Sequence, residues 1–306
     1  MNTPPVTVRA LLAEVTDRLS AAGVPTPGID AALLIGFVTG ASRGRVQAMA
    51  LTDAPAEASV VERVRELAVR RAAREPLQHI TGTAAFRSLE LAVGPGVFVP
   101  RPETELVAQF AIDALRQAAS PEPIAVDLGS GSGAIALALA VEVPHARVFG
   151  VEKSADALPW TRRNFEASGA ANATLVEGDL ADPALLPELA GRVDVVISNP
   201  PYVPDEAVPR DPEVRLFDPA MALYGGPDGL DLVRALSRTA LRLARPGGVL
   251  VIEHGELQGP AIRELLTADG WRAASTHPDL TGRDRATTAL RQDPPAPRSG
   301  LQATHQ

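Results

Sequence analysis

From Ile124 onward the chain alternates short apolar runs with helix-length amphipathic stretches. The strand-like runs are Ile124–Leu128, Arg147–Val151, Ala173–Val176, Val193–Ser198 and Gly248–Glu253, followed by Trp271–Thr276 and Ala286–Arg291. Helical stretches over Gly133–Val141, Ala155–Ser168, Pro183–Leu189, Leu230–Ala244 and Gln258–Asp269 lie between them. Parallel strands need long crossovers, and helices that cross over also bury both faces of the sheet. The alternation therefore predicts an α/β fold with a largely parallel sheet.

The first 120 residues have a different texture. Residues 8–22 read as an amphipathic helix with Val8, Leu11, Leu12, Val15 and Leu19 on one face. Ile29–Val38 reads as a second helix closed by Gly40, and Val60–Arg74 as a third. The third presents Arg63, Arg70, Arg71 and Arg74 on its outer face, read as solvated or as facing an acidic partner. Leu77–Ile80, Phe86–Val93 and Val97–Val99 read as strand-like runs broken by glycines and Pro95, together a β-hairpin linker. Arg101-Pro102-Glu103-Thr104-Glu105 then opens a helix through Leu115, with a proline and acids suited to its positive end. The expected organisation is a helical domain over 1–76, a linker over 77–100, a catalytic domain over 101–292 and a disordered, proline-bearing tail over 293–306.

Composition narrows the function. No cysteine is present, which excludes disulfides, thiolate metal sites and a cysteine nucleophile. The five histidines show no paired ligand spacing, so no metal is expected. Net charge is −8, and residues 1–80 hold nine arginines against eight acids, which leaves the remainder strongly acidic. That balance disfavours a duplex-DNA track. The longest uncharged stretches are too short to span a bilayer, and Glu14 and Asp17 interrupt the place of a signal sequence, so a cytoplasmic protein without membrane contact is expected.

Asp127-Leu128-Gly129-Ser130-Gly131-Ser132-Gly133 joins the first strand of the alternation to its helix. Glycines there allow a sharp turn and close ligand approach, and the helix behind offers free N–H groups. Glu152 ends the next strand, where an acid can accept both hydroxyls of a ribose. Strand, glycine loop, helix and acid together are a stronger signal than the glycines alone. The spacing resembles that of class I S-adenosylmethionine-dependent methyltransferases. In these the loop packs beside the methionine part, the second-strand acid binds ribose, and an acid after the third strand meets adenine. Asp179 stands at that third place, with Leu180 beside the ring. The ordinary readings are a tight turn for the loop, a surface acid for Glu152 and a helix N-cap for Asp179.

The fourth strand runs into Asn199-Pro200-Pro201-Tyr202, beyond a strand end where open α/β sheets bind ligands. Two prolines stiffen the turn and fix the carboxamide and phenol. Methylating a planar, conjugated nitrogen requires acceptors that orient its N–H bonds. The Asn199 side-chain oxygen and Pro200 carbonyl can supply two, and Tyr202 can stack on a planar group. Glu253-His254 ends the fifth strand near this place, as a lining pair or, for His254, an ordinary hydrogen-bonded structural histidine. Arg283 and Arg285 read as steering a substrate loop or as a solvated turn. Trp160 and Trp271 read as packing residues.

With these residues in place, the chain resembles the PrmC/HemK family of N5-glutamine methyltransferases. The likeness extends to Arg74–Gly82, to Phe98–Glu105, to Asp218–Leu230 and to Asp279–Arg285, over roughly residues 8–291. The resemblance implies a class I Rossmann-like domain with a seven-stranded sheet and a small helical N-terminal domain that helps hold the substrate. It implies S-adenosylmethionine as donor, S-adenosylhomocysteine as product, and the glutamine of the Gly-Gly-Gln motif of bacterial peptide-chain release factors as acceptor. It implies donor contacts at Asp127, Leu128, Gly129, Ser130, Gly131, Glu152, Asp179, Leu180 and Asn199. Acceptor contacts are implied at Asn199, Pro200, Pro201 and Tyr202, with Asn199, Pro200 and Tyr202 catalytic. Leu180 and Glu152 depart from the aromatic residue and the aspartate that other members carry there.

Three other readings compete. One is N5-glutamine methylation of another translation protein. A second is a DNA adenine-N6 methyltransferase, which would share the Asn-Pro-Pro-Tyr logic but must flip its base and follow a basic track. The third is a silent S-adenosylmethionine-binding partner of the translation machinery, which the intact Asn199 and Tyr202 disfavour.

Overall fold

A computed structural model describes residues 5–292 of the chain; the tail expected to be disordered lies outside the described residues. Two compact units are present. One takes the residues up to Ala85 with Glu90–Val99 and Ala207–Ala222, the other Phe86–Leu89, Pro100–Glu206 and the residues from Leu223.

The first unit is helical: α1 (Val8–Ala21), α2 (Pro27–Thr39), α3 (Arg43–Leu51), α4 (Ala58–Ala72) and α5 (Leu77–Thr81). Thr7 caps α1 by accepting from Ala10 N at 3.2 Å. The apolar faces of α1, α2 and α4 meet in a core that includes Leu11, Leu19, Leu34, Ile35, Val64 and Leu67, all buried. Each such side chain contributes roughly 1.5–3 kcal/mol on leaving water.

Several expectations fail in this unit. The sequence reading has no helix over Arg43–Leu51, because only Val46 and Ala50 turn inward and no stripe forms. Leu77–Ile80 is helical rather than extended, bounded by Pro76 and by Gly82 in the left-handed region. Val97–Val99 forms no strand. The strand pair lies at β1 (Thr83–Phe86) and β2 (Leu89–Ala92), turning through Arg87-Ser88.

The arginine face of α4 is not simply solvated. Arg71 is buried, pairs with Asp30 at 2.7 Å and with Glu213 at 2.8 Å, and donates to Glu75 O. Arg74 forks onto the same Glu213, with contacts at 2.8 and 2.5 Å. Burial pushes the Glu213 carboxyl up, but hydrogen bonds from Arg74, Asp211 and Arg71 outweigh it and leave it at about 2. Arg63 and Arg70 do pair at the surface, with Glu66 and Glu75.

The second unit is the α/β body. Its elements are α6 (Pro102–Arg116), β3 (Ile124–Leu128), α7 (Ala134–Glu142), β4 (Arg147–Glu152), α8 (Leu158–Ser168), β5 (Ala173–Glu177) and β6 (Val193–Ser198). The short helices α9 (Pro212–Phe217) and α10 (Ala220–Leu223), neither expected from the sequence, fall in or end the Ala207–Ala222 segment of the first unit; α11 (Asp231–Leu243) follows in the second. Then come β7 (Ala244–Glu253), α12 (Gly259–Asp269), β8 (Trp271–Pro278) and β9 (Asp284–Arg291). The sheet has seven strands in the order β5-β4-β3-β6-β7-β9-β8. Strands β3 to β7 pair in parallel, and β9 runs antiparallel to β7 and β8. Every residue of β3 and β6 is buried, which is why those runs are mostly apolar rather than alternating, with Asp127, Asp194 and Ser198 buried among the apolar residues.

The expected Pro183–Leu189 helix is only a 3-10 turn at Pro187–Leu189. Asp179 and Asp182 each accept from a backbone N–H two residues on, which holds that stretch in successive turns. The direction of chain progression reverses between β3 and β6. Register pairs Asp127 with Gly150 on one side and Ile197 on the other, so the carboxyl ends of β3, β4 and β6 finish together at this switch point. Among the described residues no helix is long and apolar enough to cross a membrane.

Candidate active site

The glycine loop is drawn tight by its neighbours in the sheet. Gly129 N and Ser130 N both donate to Val151 O at 2.9 Å. Asp127, fully buried, accepts from Ser130 Oγ at 2.9 Å and from Ala136 N at 3.1 Å, which ties the loop to the first turn of α7. Burial raises its carboxyl to about 7, and its Oδ1 has no hydrogen-bond partner. Gly131 has a φ of 54°, and a Cβ built on it would meet nothing within 4 Å. The loop thus turns in the left-handed region and presents bare backbone to open space.

Glu152 closes the same place from the end of β4. It is buried, and its Oε2 accepts from Gly131 N at 2.7 Å. Its Oε1 accepts from Lys153 N at 2.9 Å and Ser154 N at 2.7 Å. Oε1 thus already accepts two hydrogen bonds, while Oε2 keeps a lone pair free for a hydroxyl donor. Leu180 is buried, with its Cδ2 3.9 Å from where a Gly129 Cβ would stand. Asp179 is half-buried, accepts from Ala181 N at 2.9 Å and pairs with Lys153 Nζ at 3.2 Å. The Ala181 hydrogen bond chiefly, with Lys153, lowers its carboxyl against partial burial. Its ordinary role as a turn cap is therefore real, and one oxygen is shared with a cation rather than closed off.

These residues fit an adenosyl sulfonium donor. A bare glycine backbone, an orphaned buried acid oxygen on Asp127, a sequestered carboxylate at ribose position and an apolar Leu180 flank one strand-end crevice. Asp127 differs from the rest: its side chain lies beneath the loop, holding it.

The acceptor turn leaves β6 next door. Ser198 donates to Leu128 O at 2.5 Å, which binds the ends of β6 and β3 together immediately before Asn199. Asn199 is half-buried and Pro200 buried. Asn199 Nδ2 donates to Thr104 Oγ1, at 3.4 Å, on the first turn of α6. Tyr202 O accepts from Gln258 Nε2 at 2.9 Å, and Val203 bridges to Tyr224. Two glycines close the turn from outside. A Cβ at Gly225 would stand 2.5 Å from Pro201 O, and one at Gly229 (φ 76°) would overlap Tyr202 O.

Around this turn lies a group that the motifs did not announce. Glu253, at the end of β7, is fully buried and hydrogen-bonded by Thr104 and Asn199. Burial raises its carboxyl to about 7, against those hydrogen bonds and the charge of Arg285. Arg285 hydrogen-bonds the Tyr202 phenol and lies 3.5 Å from Asp279. Burial, with Glu253 nearby, pushes that phenol up, so Tyr202 stays neutral. Arg285 therefore belongs to the site, whereas Arg283 is exposed, 3.8 Å from Glu256. His254 is structural: its ring nitrogens pair with Gly255 O at 2.8 Å and Thr287 Oγ1 at 2.9 Å, and burial lowers its pKa. Trp271 packs in the core and donates to Ser237. The strand-ending position that suggested Glu253 and His254 as a lining pair holds for Glu253, whereas its partners Thr104 and Arg285 come to it through the fold.

Residues 10–82 match the PrmC N-terminal domain, and residues 88–224 the Methyltransferase small domain. The chain is 52% identical over 287 residues to a release factor glutamine methyltransferase of Streptomyces coelicolor, a match covering 93% of this chain and 98% of that one. It is 42% identical over 232 residues to a 4-amino-L-phenylalanine/4-methylamino-L-phenylalanine methyltransferase of Streptomyces pristinaespiralis, covering 74% and 77%. The fold is shared with the Thermus thermophilus 16S rRNA N2 G1207 methyltransferase, solved with AdoMet and guanosine, at a TM-score of 0.50 and 23% identity over 69% of this chain and 50% of that one.

Proposed function

Because the chain belongs to the release factor glutamine methyltransferase family, we propose that it methylates the side-chain amide nitrogen, N5, of the glutamine in the Gly-Gly-Gln motif of bacterial peptide-chain release factors. The observation that carries this reading is Asn199. Its carboxamide leaves β6 beside the glycine loop of β3, tied there by the Ser198–Leu128 hydrogen bond. S-adenosylmethionine supplies, when bound, an electrophilic methyl on a sulfonium centre.

In this reading Gly129, Ser130 and Gly131 line the methionine end of the donor with backbone, Leu128 and Leu180 give it apolar surface, and Asp127 holds the loop in shape. Glu152 accepts the ribose hydroxyls, and Asp179 accepts from the adenine. Asn199 Oδ1 and Pro200 O each accept an N–H of the substrate amide, which turns the nitrogen lone pair toward the donor. Tyr202, kept neutral by burial, covers the carboxamide plane. A conjugated amide needs no base before attack, and its surplus proton leaves afterwards to water or to the turn. The protein's contribution is then alignment, which can lower a barrier by about 7–11 kcal/mol. Residues 1–76 serve as the domain that grips the release factor, and 77–100 as the linker.

The Streptomyces pristinaespiralis relative acts, by its name, on an aromatic amine, also a planar conjugated nitrogen. A mass-spectrometric assay separates the substrate classes: purified chain, S-adenosylmethionine, and release factor with the motif glutamine present or replaced. One added methyl only with glutamine present is expected; methylation of the replaced protein, or none of either, overturns the reading. In the same assay Asn199→Ala should lose at least 100-fold in rate while donor affinity stays within about tenfold.

A further inference from the structure

Glu253, at the end of β7, stands among groups from three other segments. From α6 come Glu103 and Thr104, from the turn after β6 come Asn199 and Tyr202, and from β9 comes Arg285. Thr104 is buried and Glu253 is more so, and the carboxylate's Oε2 has no hydrogen-bond partner. The hydrogen bonds run in one direction. Asn199 Nδ2 donates to Thr104 Oγ1, and Thr104 and Asn199 both lie close enough to Glu253 to favour its charged form. A hydroxyl that accepts from an amide is left to donate its own proton onward, so the chain of donors ends on the carboxylate.

We propose that Glu253 is a positioning residue for methyl transfer: with Thr104 it takes up the amino end of the Asn199 carboxamide, so that Oδ1 is the end left for an incoming amide N–H. The inference rests on the methyltransferase reading of the Asn199 turn. A carboxamide has two ends of nearly equal shape and opposite hydrogen-bonding sense. Turned the wrong way, Asn199 would set an N–H against the substrate's N–H, and the acceptor nitrogen could not be held. Packing does not distinguish the two ends; only a fixed acceptor behind the amino group does. A carboxylate is that acceptor without ambiguity, since it has no hydrogen to offer. Its removal from water beside Glu103 is costly and only partly offset by Arg285, and a glutamine of the same size would fill the space without that cost. Protonation converts one oxygen into a donor and removes the bias.

The test uses the full-length enzyme and release factor, with kcat measured from pH 6 to 8.5 and donor affinity by calorimetry. Wild type should lose rate as pH falls through about 7, where Glu253 takes up a proton. Glu253→Ala should lower kcat about 100-fold at pH 8 with donor affinity within threefold. Glu253→Gln, which like the protonated acid offers one acceptor and one donor end, should run at the rate wild type reaches below its acid limb and show no acid limb of its own. A kcat for Glu253→Ala within threefold of wild type overturns the proposal, as does an acid limb retained in Glu253→Gln or absent from wild type. Should Glu253→Ala fail to fold, the near-isosteric Glu253→Gln profile decides alone. Absence of methylation by wild type would instead defeat the reading of the site, a different outcome.

Discussion

A carboxylate with three backbone donors, as Glu152 has, is a brace, and in the proposed reading also the group that takes the ribose hydroxyls. Its hold on Gly131 N sets the loop that the donor must meet. Glu152→Ala should therefore weaken S-adenosylmethionine binding at least tenfold by calorimetric titration, and an unchanged affinity would remove its ribose role. Glu253 illustrates the opposite economy. Its carboxyl is raised to about 7 in the folded chain, so the unfolded state sheds its proton first as pH rises above about 4.5. The folded state then loses stability with rising pH until about 7, by roughly 3 kcal/mol for a shift of that size. Glu253→Gln escapes this, so its melting temperature relative to wild type should climb between pH 5 and pH 8. A constant difference across that range would contradict a carboxyl buried in this way. Asn199 and the glycine loop were legible in the sequence because their chemistry is local, four or seven consecutive residues at a strand end. Glu253, Thr104 and Arg285 meet only through the sheet order, and no spacing along the chain announces them.

Elements divide in the same manner. Mostly apolar runs such as Val193–Ser198 and Ile124–Leu128 announced their strands, because strands buried on both faces show no regular polar side. Short helices escaped notice. Leu77–Thr81 is one turn long, too brief for a 3.6-residue period, and only Pro76 and Gly82 marked its ends. The arginines of α4 were legible as charge but not as structure, since their partners Asp30 and Glu213 lie 41 and more than 130 residues away. That cluster is deeply buried within its unit, and removing one member leaves charges without partners. Glu213→Ala should cost about 3–5 kcal/mol in chemical denaturation at pH 7. The loss should shrink as pH falls from about 4.5 toward 2, because the Glu213 contribution disappears as its own carboxyl is protonated. A neutral effect at pH 7 would mean that the pairs only offset their desolvation.

For the whole molecule, the sheet's reversal between β3 and β6 places the glycine loop and the Asn199 turn side by side, whereas the alternation of runs after Ile124 predicted only a largely parallel sheet, not its strand order. The helical N-terminal region is a separate matter, with its own core. Its proposed task is to grip the release factor, so a chain lacking residues 1–75 should bind S-adenosylmethionine by calorimetry yet methylate intact release factor at least tenfold more slowly. A full rate would assign the grip elsewhere. Gly225 and Gly229 bear on how such an enzyme could be given a new acceptor. With main-chain oxygens of Pro201 and Tyr202 pressed against them, neither position tolerates even a methyl group. A mutagenic library aimed at altered selectivity would waste its members there, because the main-chain oxygens of the turn leave no room for a side chain.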